Sequence, residues 1–313
     1  MIRTQDLILL VVCFSTIAVG VLFPRFGNLF SAAPLYCMMA LVFLSFLSIP
    51  VQSIWRVARS SRLLVGLLLL VKLVLIPVAV YFLFASWLPA YAVAALLVSG
   101  SSTGVVTPFF SELVLANTSL VTVSMFTGSL LVPLTLPALV KILAGHALHI
   151  RFVTMFNILA TVVLIPFVLA EIVKRSSPQL AERLVGQRYA LSLLLFALSN
   201  FGIFAKYSDY LRRQPSMVLI ALAVAVVLAV IFFAIGVAFS WNLALPEQLA
   251  IIICISQVNN VLVLVFSAQL FGPIEPMLAA MYSVMFYGML VPVRGYRSWR
   301  LAGEQKLTTA SRG

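Results

Sequence analysis

The chain has 313 residues, of which 63% are hydrophobic and only 9% charged, with mean hydropathy +1.17. No water-soluble domain of this size is so poor in charge, and the long apolar runs do not alternate as barrel strands do, so the expected class is an all-α polytopic membrane protein. The net charge of +12 would point to nucleic acid in a soluble chain; here the basic residues sit in short loops beside apolar runs, so the lipid bilayer is the expected partner and nucleic acid is not.

A bilayer core about 30 Å thick needs about 20 apolar residues per crossing helix. Ten spans are expected, at residues 6–23, 30–50, 63–84, 90–113, 118–143, 151–173, 189–205, 215–240, 247–270 and 275–293. The first is like a secretory signal in position, but its apolar run is too long and no small-residue cleavage site follows, so it reads as a spanning helix. The third contains LLLLVKLVLIP, which places Lys72 about ten residues from either end. An ammonium at that depth costs about 2.5–3.5 kcal/mol on insertion scales and cannot snorkel to an interface, so it must face a bundle interior or a wet cavity. It is either part of a site or static glue between helices.

The fourth span carries SGSSTGVVTPFFSE, Ser99 to Glu112, with Ser101, Ser102, Thr103 and Thr107 set among Gly100, Gly104 and Pro108. Glycine loosens a helix there. Proline inside one would leave the carbonyl four residues back, on Gly104, without its donor. A broken helix is expected, and unwound backbone at membrane depth is tolerated only inside protein or along a wet cavity. The ninth span carries CISQVNN, with Gln257, Asn259 and Asn260 at mid-span. Interhelical hydrogen bonds would explain one or two such amides; three facing a broken partner favour a binding site. In the seventh span and its neighbour, Asn157, Ser199 and Asn200 are polar positions that would shape a crevice. The tail from Arg294 onward is polar and basic and is expected to be disordered.

With both termini cytoplasmic, the inner face collects 13 of the 20 basic residues: Arg3, Arg56, Arg59, Arg62, Lys174, Arg175, Arg183, Arg188, Arg294, Arg297, Arg300, Lys306 and Arg312. The outer face has Arg25, Lys141, Arg151, Lys206, Arg212 and Arg213. This bias favours termini inside. FTGSLLVP (Phe126–Pro133) recurs as FYGMLVP (Phe286–Pro292), each after a methionine. Five spans per half would set the two halves in opposite orientations, the inverted repeat of secondary transporters with discontinuous helices 4 and 9 crossing at mid-membrane. Cys13, Cys37 and Cys254 lie in apolar segments without metal spacing, and His146 and His149 lack a carboxylate or cysteine to complete a ligand set, so no metal and no cofactor are expected.

SGSSTGVVTPFFSELVLANTSLVTVSMFTGSLLVPLTLPALVKILAG resembles the fourth and fifth spans of the bile acid:sodium symporter family, VNNVLVLVFSAQLFG its ninth, IPFVLAEIVKR its sixth, and the stretch from Lys72 to Pro77 its third. The resemblance implies two inverted five-helix repeats. It implies a panel of helices 1, 2, 6 and 7 (about 6–50 and 151–205) and a core of helices 3–5 and 8–10 (about 63–143 and 215–293), with a basic cytoplasmic tail over 294–313. It also implies an organic anion carried in the crevice between them with sodium. The matching places Cys254 where the family has a glutamate, Thr107 and Pro108 at a Ser-Asn pair, Val121 and Met125 at two hydroxyl ligands, and Lys72 at a glutamine; Asn259 matches the family asparagine, and Gln257 and Asn260 do not match by type.

The expected function is therefore secondary transport, not catalysis: the interior offers no His, Asp or Glu for an intramembrane enzyme. The cargo is a small or amphipathic organic anion moved by alternating access. Lys72 stands in for a bound cation, and Ser101, Ser102, Thr103, Thr107, Gln257, Asn259 and Asn260 form the substrate and ion site. Proton or sodium remains the candidate coupling ion. A sodium-coupled symporter of bile-acid type, and a channel or non-transporting sensor on the same fold, stay open beside it. A bacterial inner (plasma) membrane is the expected location.

Overall fold

The computed structural model describes residues 4–49, 61–104, 106–145 and 150–310. Arg3, Arg56, Arg59, His146, His149 and Arg312 lie outside them, as do the side chains of Cys13 and Lys306. The described residues are 86% helix with no strand among them. Among the described residues, six helices are long and apolar enough to cross a membrane: Arg62–Trp87, Thr118–Ala144, Phe152–Ser176, Arg188–Lys206, Ser216–Ser240 and Ile274–Gly303. Shorter apolar helices accompany them at Ala33–Leu47, Pro89–Ser99, Leu245–Ser256 and Asn260–Leu270. Large apolar side chains stay exposed on these helices, Leu219 at 70% and Val230 at 63% among them. Such a surface would associate in water; against lipid tails it is the expected one.

In chain order the helices are α1 (Thr4–Leu22), α2 (Pro24–Asn28), α3 (Ala33–Leu47), α4 (Arg62–Leu70), α5 (Ile76–Trp87), α6 (Ala92–Ser99), α7 (Thr107–Leu113), α8 (Thr118–Ala144) and α9 (Phe152–Ser176). They continue as α10 (Pro178–Gly186), α11 (Arg188–Lys206), α12 (Ser208–Arg213), α13 (Ser216–Ser240), α14 (Leu245–Ser256), α15 (Asn260–Leu270), α16 (Ile274–Gly288) and α17 (Leu290–Ala310). Between α4 and α5 the helix passes through a π turn, Val71–Leu75, in which the Ile76 amide bonds the Val71 carbonyl five residues back. Pro77 follows directly and lacks the N–H that an α-helix would aim at Leu73. The wider turn accommodates that loss, and Lys72 sits within it.

One group of packed helices contains α1, α2, α3, α9 and α11; another contains α5 to α8 and α13 to α16. They meet where α9 lies on α8 and where α3 and α11 lie on α15. An edge-to-face trio of Phe46, Phe126 and Phe167, with centroids 5.3–5.7 Å apart, fills the junction of α3, α8 and α9.

The tail differs from expectation. Helix continues from Leu290 to Ala310. Tyr296 donates to Gln248 Oε1 at 2.7 Å, Trp299 packs on Trp241 at 6.2 Å, and the Arg300 guanidinium lies 5.3 Å over the Trp241 ring. Aromatic packing at three-residue spacing orders a stretch whose composition is polar.

Candidate functional site

Two helices are interrupted, and their interruptions pair. Between α6 and α7, residues 100–104 and 106 lie outside the helices; between α14 and α15, residues 257–259 do. The Gly104 amide donates to the Gln257 carbonyl at 2.8 Å, and the Asn259 amide to the Ser102 carbonyl at 2.9 Å, around an antiparallel bridge of Thr103 with Val258. Unwound backbone is thus satisfied inside the protein, as membrane depth requires. Gly104 permits the approach: a Cβ there would lie 2.7 Å from the Phe286 ring and 3.0 Å from the Val258 carbonyl. Pro108 does not interrupt a helix as its sequence position implies. It sits in the first turn of α7, where a missing N–H is harmless, and the Gly104 carbonyl is taken by the Thr107 amide at 3.1 Å.

The carbonyl end of α14 explains Lys72. In a continuous helix, Ile255 and Ser256 would accept from Asn259 and Asn260; those amides turn instead to Ser102 and Val258. Side chains from other elements take their place. Thr103 Oγ1 donates to Cys254 O at 3.0 Å, Lys72 Nζ to Ile255 O at 3.2 Å, and Tyr282 Oη to Ser256 O at 2.8 Å. A helix C-terminus carries about half a negative charge, so an ammonium is electrostatically matched to it. Lys72 is 3% exposed. Cys254 is its near neighbour, beside Thr103 and Ser124.

Ser101 and Ser102 are fully buried beside the seam: Ser101 Oγ returns to Val98 O at 3.0 Å, and Ser102 Oγ accepts from Ser129 at 3.2 Å. Gln257 Nε2 donates to Phe286 O at 2.7 Å, and Asn259 Oδ1 caps α15 by accepting from Leu262 N at 3.2 Å. Among buried side-chain atoms of the described residues, Thr107 Oγ1, Gln257 Oε1 and Asn260 Oδ1 have no hydrogen-bond partner.

A cavity of about 640 Å³ opens beside this seam, within the range of small-molecule sites. One wall comes from α3 and α11, the other from α7, α8, α15 and α16. Of the residues singled out from sequence, Asn259 and Asn260 line it; Lys72, Ser101, Ser102, Thr103, Thr107 and Gln257 lie behind it, in the seam. The two sets are joined through Asn259, whose amide is in the seam while its side chain caps α15. Sequence reasoning missed Glu112, Ser119, Thr122, Arg188 and Ser192 as lining residues. The available signal was the four-residue step from Arg188 to Ser192 to Phe196 on one face of an apolar helix.

A sequence model described as the Sodium Bile acid symporter family matches residues 33–214, more than half of the chain. The chain belongs to this family. It is an integral membrane transport protein and not an enzyme. No curated protein matches it. The family match spans α3 to α12, so the paired interruption joins matched sequence, around Thr103, to sequence beyond the match, around Val258.

Proposed function

We propose that this member of the symporter family is a secondary transporter of an organic anion in which the Lys72 ammonium occupies the place of a coupling cation. The observation that carries this reading is the buried 3.2 Å bond from Lys72 Nζ to Ile255 O at the broken end of α14. Unwound carbonyls and half-helix C-termini are where transporters of this architecture hold cations. A tethered positive charge fills that role permanently and makes an acidic ligand at Cys254 unnecessary. Transport is then independent of sodium: uniport, exchange, or proton coupling through the amine.

The finer architecture follows the same reading. α6 with α7, and α14 with α15, are the discontinuous fourth and ninth of ten spans in two inverted repeats. α1, α3, α9 and α11 form the panel, and the helices from α4 to α8 and α13 to α16 the core. The cavity lies between them and faces the cytoplasm, where both termini lie, in a bacterial inner membrane. The seam residues Ser101, Ser102, Thr103, Thr107 and Gln257 hold the ion-site framework, and Asn259 and Asn260 present it to cargo.

A second reading, sodium-coupled symport, draws on the unpartnered buried oxygens of Thr107, Gln257 and Asn260, a donor type that suits a hard cation. Counterflow of a labelled organic acid in proteoliposomes separates the two. Equal rates with and without a sodium gradient are expected, and loss of transport in Lys72→Gln. Uptake by the wild type that requires sodium overturns the first reading in favour of the second.

A further inference from the structure

The turn between α13 and α14 and the middle of α17 form a cluster that the transport reading leaves without a role. Trp241, directly after α13, packs on Trp299 at 6.2 Å, Trp299 packs on Tyr296 at 5.9 Å, and the Arg300 guanidinium lies 5.3 Å over the Trp241 ring. The cluster is not closed: Trp241 is 47% exposed and Trp299 59%. Arg300 Nε is buried without an acceptor, and among the described residues no ion pair joins Arg297 or Arg300 to an acid. From Arg294 to Gly303, α17 holds three arginines and no acid. Glu247, the acid in the first turn of α14, is already bonded by Asn117 Nδ2 at 3.0 Å. Guanidinium groups left without an acceptor in this way call for an anion from outside the chain.

The exposed face of α13 indicates where that anion comes from. Leu219, Val230 and Trp241 are spaced eleven positions apart, about three helical turns each. All three are exposed, so they form one open stripe along the helix. From Leu219 to Trp241 the stripe runs about 33 Å, close to the thickness of a bilayer's hydrocarbon core. Trp241 therefore stands at a membrane boundary, where tryptophan is favoured, and the arginines of α17 stand beside it at headgroup level. A soluble anion has no use for the stripe; a lipid uses both parts.

We propose that this corner binds an anionic phospholipid: an acyl chain lies along the α13 stripe, Trp241 and Trp299 flank the glycerol backbone, and Arg297 and Arg300 hold the phosphodiester. Guanidinium groups match phosphate oxygens with paired N–H bonds. In a zwitterionic lipid the cationic headgroup competes with the arginines for its own phosphate, so the site prefers phosphatidylglycerol to phosphatidylcholine. The inference concerns the membrane-facing surface and is independent of cargo and coupling.

The test is quenching of tryptophan emission by brominated lipid, in the full chain carrying Trp55→Phe and Trp87→Phe so that only Trp241 and Trp299 emit. The chain is reconstituted in phosphatidylcholine bilayers containing dibromo-phosphatidylglycerol or, in parallel, dibromo-phosphatidylcholine. Phosphatidylglycerol should associate about tenfold more strongly, with the margin shrinking at high salt. Arg297→Gln with Arg300→Gln should bring the two lipids to within about twofold, while quenching by dibromo-phosphatidylcholine stays unchanged and shows that the indoles still face lipid. Arg297→Lys with Arg300→Lys should keep most of the preference, and Arg151→Gln, just ahead of α9, all of it. Equal quenching by the two lipids in the starting chain overturns the proposal, as does a preference that survives the double glutamine variant. Absence of quenching by either lipid would mean that protein covers the indoles, and overturns it as well. Loss of the phosphatidylglycerol preference on adding inorganic phosphate, at constant ionic strength, would assign the arginines to a soluble anion and overturn the lipid.

Discussion

Lys72 replaces a hydrogen bond that the helix break removed, and it does so with a charge. Lys72→Met keeps most of the stem and deletes both donor and charge. Removing a buried ion relieves desolvation, while an orphaned carbonyl costs about 1–3 kcal/mol, so the two effects oppose. The variant should fold, with a melting temperature within a few degrees of wild type by detergent thermal shift. If the ammonium fills a cation's place, that melting temperature should become sodium-responsive where the wild type's is not. Burial of this residue was legible in the sequence because nothing else polar shares its window. Arg188 and Glu112 were not legible as cavity residues. Each sits at a span end, where a charge is ordinary, and only contacts from α3, α8 and α15 turn those ends into walls.

At the level of elements, glycine and hydroxyl clustering announced the break between α6 and α7, and the amide cluster announced the one between α14 and α15. What composition could not announce is that the two breaks bond to each other, because register across 151 positions is set by tertiary packing. The same packing made Pro108 a helix start and drew the tail into α17 through Tyr296 and Trp299. Gly104→Ala tests the seam. Its new methyl meets the Phe286 ring at 2.7 Å and the Val258 carbonyl at 3.0 Å. The expected cost is about 1–3 kcal/mol, read as a lower melting temperature, with reduced transport because the seam must open to admit the atom. Gly66→Ala, with nothing within 4 Å of the added carbon, is the matched control and should melt like wild type or higher.

For the whole molecule, α11 is held at one end and open at the other. At its C-terminal end Lys206 Nζ donates to the Ala268 carbonyl at 2.9 Å, and the Tyr207 hydroxyl lies 3.3 Å from the carbonyls of Ala268 and Phe271, so cation and phenol cap the end of α15. At its N-terminal end Arg188 faces the cavity. Under alternating access the capped end must release before the opposite face opens. Lys206→Met with Tyr207→Phe should therefore shift the population away from the cavity-open state. The readout is maleimide labelling of Ser192→Cys in a chain whose native cysteines are replaced: labelling from the cavity side should fall several-fold when the cap is removed, and unchanged labelling would show that the cap does not hold the closed face.

The bridge between Thr103 and Val258 also constrains how such a chain changes over generations. Each half lends the other its missing peptide partners, so a substitution that shifts one interruption leaves bare amides in the other. Drift on either side is tolerated only with an answering change on the far side. Gene duplicates that separated the halves would each inherit an unfinished fold.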